Sequence, residues 1–138
     1  MILADTGFWL ALANQNDDHH VSAKNILPSL REPLLVTWPV FTETCHLLAN
    51  RLGHEALLAF VGSAADRAFV TFDLSERHYQ RLAAFMVKYR DLPMDLADAS
   101  LVVAAEDLNE GRIFSTDKCD FKAYRWKSRK PFNNLLIP

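Results

Sequence analysis

Glycine is scarce in this chain, four in 138 residues, and none of the four falls in a GxGxxG or P-loop arrangement. No glycine-rich cradle for phosphates is therefore evident, and nucleotide cofactors are not indicated. Cysteine is scarcer still: Cys45 and Cys119 form neither a CxxC pair nor a disulfide framework, a usage that fits a reducing cytoplasm. The five histidines make no HExxH and no His/Cys set, which argues against zinc, and no GxSxG turn offers a serine nucleophile. No apolar run approaches the ~18–20 residues of a membrane span. The opening Met1-Ile2-Leu3-Ala4-Asp5 lacks the basic start of a signal peptide, so the expectation is a soluble, cytoplasmic protein with no membrane partner. Neither sign of charge dominates: 15 Lys and Arg against 17 Asp and Glu leave −2, which excludes a polybasic nucleic-acid coat. What is present is half hydrophobic and 11% aromatic, enough for one domain, 1–138, to hold a core without staples.

Hydrophobic patterning gives alternating elements. Short apolar or β-branched runs at 2–4, 34–37, 69–72 and 112–115 read as strands, with 135–137 as a last edge strand. Between them lie helices over 8–13, from about His20 to Leu27, Pro39–Leu52, His54–Ser63, Leu74–Tyr89 and Asp95–Asn109. Pro39 suits a first helical turn, Gly53 a helix end, and Asp73 with Glu76 has capping-box spacing. The alternation predicts an α/β domain with a mainly parallel sheet of about five strands, whose carboxyl ends share one edge. Open α/β sheets place their ligand sites at that edge.

Acidic residues collect there. Asp5 directly follows the first strand, and Asp117 closely follows the strand at 112–115. Glu43 lies in the first turns of the helix after the second strand, and Asp95 and Asp98 share a face at the start of another. Asp120 follows three residues after Asp117. Each acid has an ordinary structural reading: Asp5 and Asp95 as helix caps, Glu43 as a solvated helical acid, Asp117 as a turn residue. Their coincidence on one edge favours a cation site instead, because unpaired carboxylates repel one another and hard oxygen ligands suit Mg²⁺ or Mn²⁺. A divalent ion so held lowers the pKa of bound water and polarises a phosphoryl oxygen, which suits phosphodiester hydrolysis.

Four ordered segments, Leu3-Ala4-Asp5-Thr6, Thr42-Glu43, Pro93-Met94-Asp95-Leu96-Ala97-Asp98-Ala99-Ser100-Leu101-Val102 and Ser115-Thr116-Asp117-Lys118-Cys119-Asp120-Phe121, resemble the motifs of the PIN-domain ribonucleases. The size and the closing Tyr124-Arg125-Trp126 are similar to the VapC-type toxins of VapBC toxin–antitoxin systems. The resemblance spans about Leu3 to Leu136. It implies a three-layer, Rossmann-like fold, a Mg²⁺-dependent endoribonuclease, frequent homodimers and a VapB-type antitoxin partner, with tRNA a frequent target. By position, Asp5, Glu43 and Asp98 match the family's strictest acids and Asp117 the fourth. Asp95 and Asp120 match auxiliary acids, Ser115 stands where relatives usually carry Thr, and Thr6 matches a hydroxyl beside the first acid.

Residues 117–130 hold six basic side chains (Lys118, Lys122, Arg125, Lys127, Arg129 and Lys130) against two acids, so the rest of the chain carries −6. Such a strip is suited to RNA phosphates, though an ordinary solvated loop has the same composition. His19, His20 and His46 read as helix-start and helical-surface residues. An antitoxin is expected to place a cationic side chain among the acids and an apolar segment against Phe8, Trp9, Leu12 and Val21. Two other functions compete: a catalytically silent PIN-like module that binds RNA or protein, and an aspartate-based phosphatase. The phosphatase pattern wants a second Asp two residues after the first, where Gly7 stands.

Overall fold

The computed structural model describes all 138 residues, Met1–Pro138. Its main sheet has five strands, β1 (Ile2–Ala4), β2 (Leu34–Thr37), β3 (Phe69–Phe72), β4 (Arg112–Phe114) and β7 (Asn133–Asn134), in the order β3-β2-β1-β4-β7. All four pairings are parallel, with Leu3 opposite both Leu35 and Ile113. β1 and β2 are buried on both faces, as the unbroken apolar runs require.

The connections from β1 to β2 and from β2 to β3 carry α1 (Thr6–Ala13), α2 (His20–Ile26), α3 (Trp38–Leu52) and α4 (His54–Ala65). The return from β3 to β4 carries α5 (Tyr79–Lys88) and α6 (Leu96–Leu108). Right-handed crossovers put these two sets on opposite faces of the sheet, giving three layers. α6 is the most deeply embedded helix: Ala97, Ala99 and every residue from Ser100 to Ala105 are buried. One cluster of 30 buried residues joins the layers, with Phe8 stacked on Phe114 at 5.1 Å and Trp9 set among Phe60 and Phe69.

Three expectations about elements are corrected. The segment after β3 is capped by Ser75, not Asp73. It begins as a 3₁₀ turn (Glu76–His78), because the buried His78 accepts the Ser75 N–H on Nδ1 and donates from Nε2 to Asp107 at 2.9 Å. The last strand pairs at Asn133–Asn134, two residues before the apolar run, which instead turns Leu136 into the core. Between β4 and this last strand lie a short helix α7 (Asp120–Ala123) and an antiparallel hairpin, β5 (Arg125–Trp126) with β6 (Lys130–Pro131).

Candidate active site

The strand order reverses direction at β1, whose neighbours β2 and β4 are reached by opposite routes, and the crevice beyond the β1 and β4 carboxyl ends lies at this switch point. Asp5 is the first residue past β1. Its N–H still bonds the Phe114 carbonyl (3.0 Å), so the β1–β4 pairing carries it beside Ser115. One carboxylate oxygen caps α1 by accepting the Thr6 N–H at 2.7 Å, and the other accepts the Ser115 hydroxyl at 3.0 Å. Ser115 Oγ in turn accepts the Asp117 N–H, and Asp117 accepts the N–H groups of Cys119 and Asp120, both at 2.9 Å. Asp95 caps α6 by accepting the Asp98 N–H at 2.8 Å, and Asp98 accepts the hydroxyl of the fully buried Tyr124 at 2.8 Å. The capping and turn roles read from sequence are therefore real, and they coexist with placement in one site.

That site is a cleft of about 330 Å³ whose lining includes Asp5, Glu43, Asp95, Asp98, Asp117 and Asp120, together with Thr6 and Thr116, and no Lys, Arg or His. Its electrostatics follow from this lining. Burial, reinforced by the charges of Glu43 and Asp117, pushes the Asp5 carboxyl up to about 7 against the pull of its Thr6 and Ser115 hydrogen bonds. Burial, then the charge of Asp5, pushes Asp98 up to about 8 despite the Tyr124 hydroxyl. Burial and the neighbouring Asp117 raise Asp120 as well. No cationic side chain stands in the wall of the cleft to offset these charges.

The acids share the cleft without closing on a common point: no three of them stand as a ready coordination shell. Asp5, Asp95, Asp98 and Asp117 are each oriented by hydrogen bonds to Ser115, Tyr124 or backbone amides. The donor set nevertheless fits a hard divalent cation, being all oxygen and uncompensated. Beside Asp5, the buried Thr6 hydroxyl has no hydrogen-bond partner at all, an acceptor left for a water or ligand at the site.

Sequence reading missed the residues that fix this geometry. Asn134 on β7 clasps the Ser115 backbone from both sides, accepting its N–H at 3.2 Å and donating to its carbonyl at 2.9 Å. The buried Thr37 hydroxyl bonds Ser100 at 2.6 Å and ties the start of α3, which carries Glu43, to α6, which carries Asp98. A Cβ on Gly7 would collide with Thr116 Oγ1, so glycine here lets the Thr116 side chain pack directly on the start of α1. Each of these links joins residues distant in sequence, which no local pattern reveals.

The basic strip is not one surface. Lys118 and Lys122 are set beside Asp117 and α7, near the acid cleft. Arg125 folds back to donate to the carbonyls of Lys122, Ala123 and Tyr124. Lys127 bonds Asn109 at the far end of α6, about 16 Å along that helix from Asp98, and Lys130 lies over the Trp126 ring. Arg129 is exposed in the same hairpin. The early-helix groove exists in altered form, about 560 Å³ with Trp9 and Leu12 in its wall, whereas Phe8 is wholly buried and Val21 stands outside it. His20 donates to the Ala11 carbonyl (2.7 Å) and His46 pairs with Asn50, structural roles in both cases.

A doubly wound parallel sheet with a carboxylate-lined cleft at its switch point places the chain among the α/β proteins whose site chemistry is acidic. Residues 2–127 match the PIN domain, and the chain belongs to that family. Among its relatives is Ribonuclease VapC26 of Mycobacterium tuberculosis, 27% identical over 124 residues that cover 90% of this chain and 92% of that one. The 23S rRNA-specific endonuclease VapC20 of the same species is 31% identical over 104 residues, 72% of this chain and 76% of the relative. The crystal structure of VapC20, described as a sarcin-ricin loop cleaving toxin, superposes with a TM-score of 0.83 and covers 95% of this chain and all of that one at 23% identity.

Proposed function

We propose that this protein is an endoribonuclease toxin of a toxin–antitoxin pair, a single PIN domain that hydrolyses RNA phosphodiester bonds with Mg²⁺ or Mn²⁺. The observation that carries the reading is the cleft whose wall takes Asp5, Glu43, Asp98 and Asp117 from four separate segments, with no cationic side chain among them. The naming of the relatives VapC26 and VapC20 as ribonuclease and rRNA endonuclease supports RNA as the substrate.

Asp5, Glu43, Asp98 and Asp117 would hold the metal, with Asp95 and Asp120 as auxiliary acids. Bound there, a divalent ion supplies Lewis-acid polarisation of a phosphoryl oxygen and an acidified water. The chain's own residues prepare this. Ser115 and the Thr6 N–H fix the orientation of Asp5, and Tyr124 fixes that of Asp98. The Thr6 hydroxyl offers its unused lone pairs to a water in the cleft. Products with 5′-phosphate and 3′-hydroxyl ends are expected. Control by a VapB-type antitoxin follows from the same charges: an Arg of the partner would neutralise the acids while its apolar segment lies along the Trp9–Leu12 groove. We place the protein in the cytoplasm, acting as a homodimer.

The test is incubation of the purified protein with tRNA and with 23S rRNA, with Mg²⁺ or with a chelator. Site-specific cleavage that the chelator abolishes, and that Asp5→Asn and Asp98→Asn each abolish while keeping the fold, is the expected result. Wild-type cleavage by both variants would overturn the site assignment. Hydrolysis of phosphomonoesters instead of RNA would favour the phosphatase alternative.

A further inference from the structure

We infer that a second cleft, continuous with the acid cleft, binds an unpaired nucleobase beside the scissile phosphate, with Trp38 and Tyr79 as its stacking faces. The inference rests on the ribonuclease reading and specifies how substrate is held. The cleft has a volume of about 730 Å³, within the roughly 300–1,000 Å³ typical of small-ligand sites. It lies between the first turns of α3, α5 and α6 and the loop after β3, all at the carboxyl edge of the sheet. Glu43 and Asp95 line both clefts, so a nucleotide chain crossing the acids has one of its bases within reach of the second.

Its surface chemistry suits a base. Trp38 is 54% and Tyr79 65% exposed, although both are large aromatics that a protein normally buries. Trp38 packs on Phe41 with ring centroids 5.4 Å apart and planes tilted by 52°, and more than half of its surface stays exposed. The same cleft is lined by the small hydroxyl side chains of Thr42 and Ser75, able to meet the hydrogen-bonding edge of a base. Arg77, whose guanidinium reaches Ser75 Oγ at 3.3 Å, stands by this wall to meet an adjoining phosphate. Its continuity with the acid cleft through Glu43 and Asp95, rather than its four aliphatic residues (Pro39, Leu74, Leu96 and Ala97), selects a nucleotide over a partner helix as its occupant. Unstacked bases of single-stranded RNA are recognised by this combination of aromatic faces and polar edges.

Binding of a short, mixed-sequence, single-stranded RNA is measured in chelator, which prevents cleavage, and compared with the same RNA made abasic at single positions. Trp38→Ala and Tyr79→Ala are each expected to weaken binding between about fivefold and about 150-fold, the range for loss of one stacked base. The slope of log affinity against log salt should stay unchanged, since neither substitution removes a charge that meets a phosphate. Trp38→Phe should retain most of the affinity, and one abasic position should reproduce the loss in wild type and add nothing in Trp38→Ala. Equal affinity of wild type for intact and abasic RNA at every position would overturn the inference. So would a Trp38→Ala variant whose RNA affinity is unchanged while its oligomeric state shifts in light scattering, which would make this face a contact between copies. Metal-dependent cleavage by wild type without base-dependent binding defeats this inference alone, whereas base-dependent binding without any cleavage defeats the ribonuclease reading and leaves the base site standing.

Discussion

Asp5 and Asp98 ionise reluctantly, and this couples the site to pH. Both carboxyls are pushed upward on folding, to about 7 and about 8, so the folded protein holds protons that the unfolded chain releases near pH 4. Their contribution to stability is therefore complete below about pH 4, declines progressively above it, and is wholly lost once pH has risen through 7 to 8. Without metal, the melting temperature should fall across that interval. Added Mg²⁺ should raise it more at pH 8 than at pH 5, since the ion competes with those protons. Asp98→Asn should flatten the decline and remove most of the Mg²⁺ response, while circular dichroism shows the fold unchanged. Tyr124→Phe is the complementary test: the hydroxyl stabilises the charged form of Asp98, so its loss moves that carboxyl further up and shifts the pH–rate profile to higher pH. A profile that does not move would leave Tyr124 with packing alone. The acids themselves were legible in the sequence, because the segment just after a parallel strand, and the first turns of the helix it leads into, emerge at one edge. Tyr124, Thr37 and Asn134 were not, because each acts across a contact that exists only once the sheet has formed.

Among the elements, the long or strongly apolar segments were readable and the short ones were not. β1 and β2 are buried throughout, so composition and position agree, and Pro39 and Gly53 mark α3 as expected. The β5–β6 hairpin turns on Lys127 and Ser128 with φ of 48° and 68°, a left-handed pair usually announced by Asn-Gly, so the sequence carries no turn signal there. The cap at Ser75 escaped because its partner is a histidine. With Nδ1 accepting the Ser75 N–H, His78 is held as the Nε2–H tautomer and latches α5 to α6 through Asp107, which also pairs with Arg81. His78→Ala should cost about 2–4 kcal/mol in urea unfolding, combining a lost cap with a cavity. Gly7 holds another joint between elements. Gly7→Ala forces the Thr116 side chain away and should cost about 1–3 kcal/mol, as overpacking does. Thr116→Ala in the same chain should recover part of that loss, whereas strictly additive losses would show that the clash is relieved elsewhere.

On the scale of the whole molecule, charge is distributed differently in space than in sequence. The six basic residues of 117–130 were visible as a count, but the chain folds them to two ends of α6. α7 leaves Lys118 and Lys122 beside the acid cleft, where phosphates flanking a scissile bond would pass. The hairpin carries Lys127, Arg129 and Lys130 away, and Arg125 spends its guanidinium on the carbonyls that end α7. The strip therefore divides into a pair beside the acid cleft and a set at the far end of α6, of which Arg125, Lys127 and Lys130 have partners within the fold and Arg129 is exposed. Removing one lysine that neutralises a phosphate should lower the slope of log affinity against log salt by ~0.7 for single-stranded RNA. Lys118→Ala with Lys122→Ala should flatten it by ~1.4. Lys127→Ala with Arg129→Ala should leave it unchanged, although the loss of the Lys127–Asn109 bond lowers stability slightly. Titrations of a non-cleaving Asp98→Asn background at several salt concentrations measure both slopes. If the hairpin pair carries the salt dependence instead, RNA crosses the molecule at the opposite end of α6, and the acid cleft is not where its backbone lies.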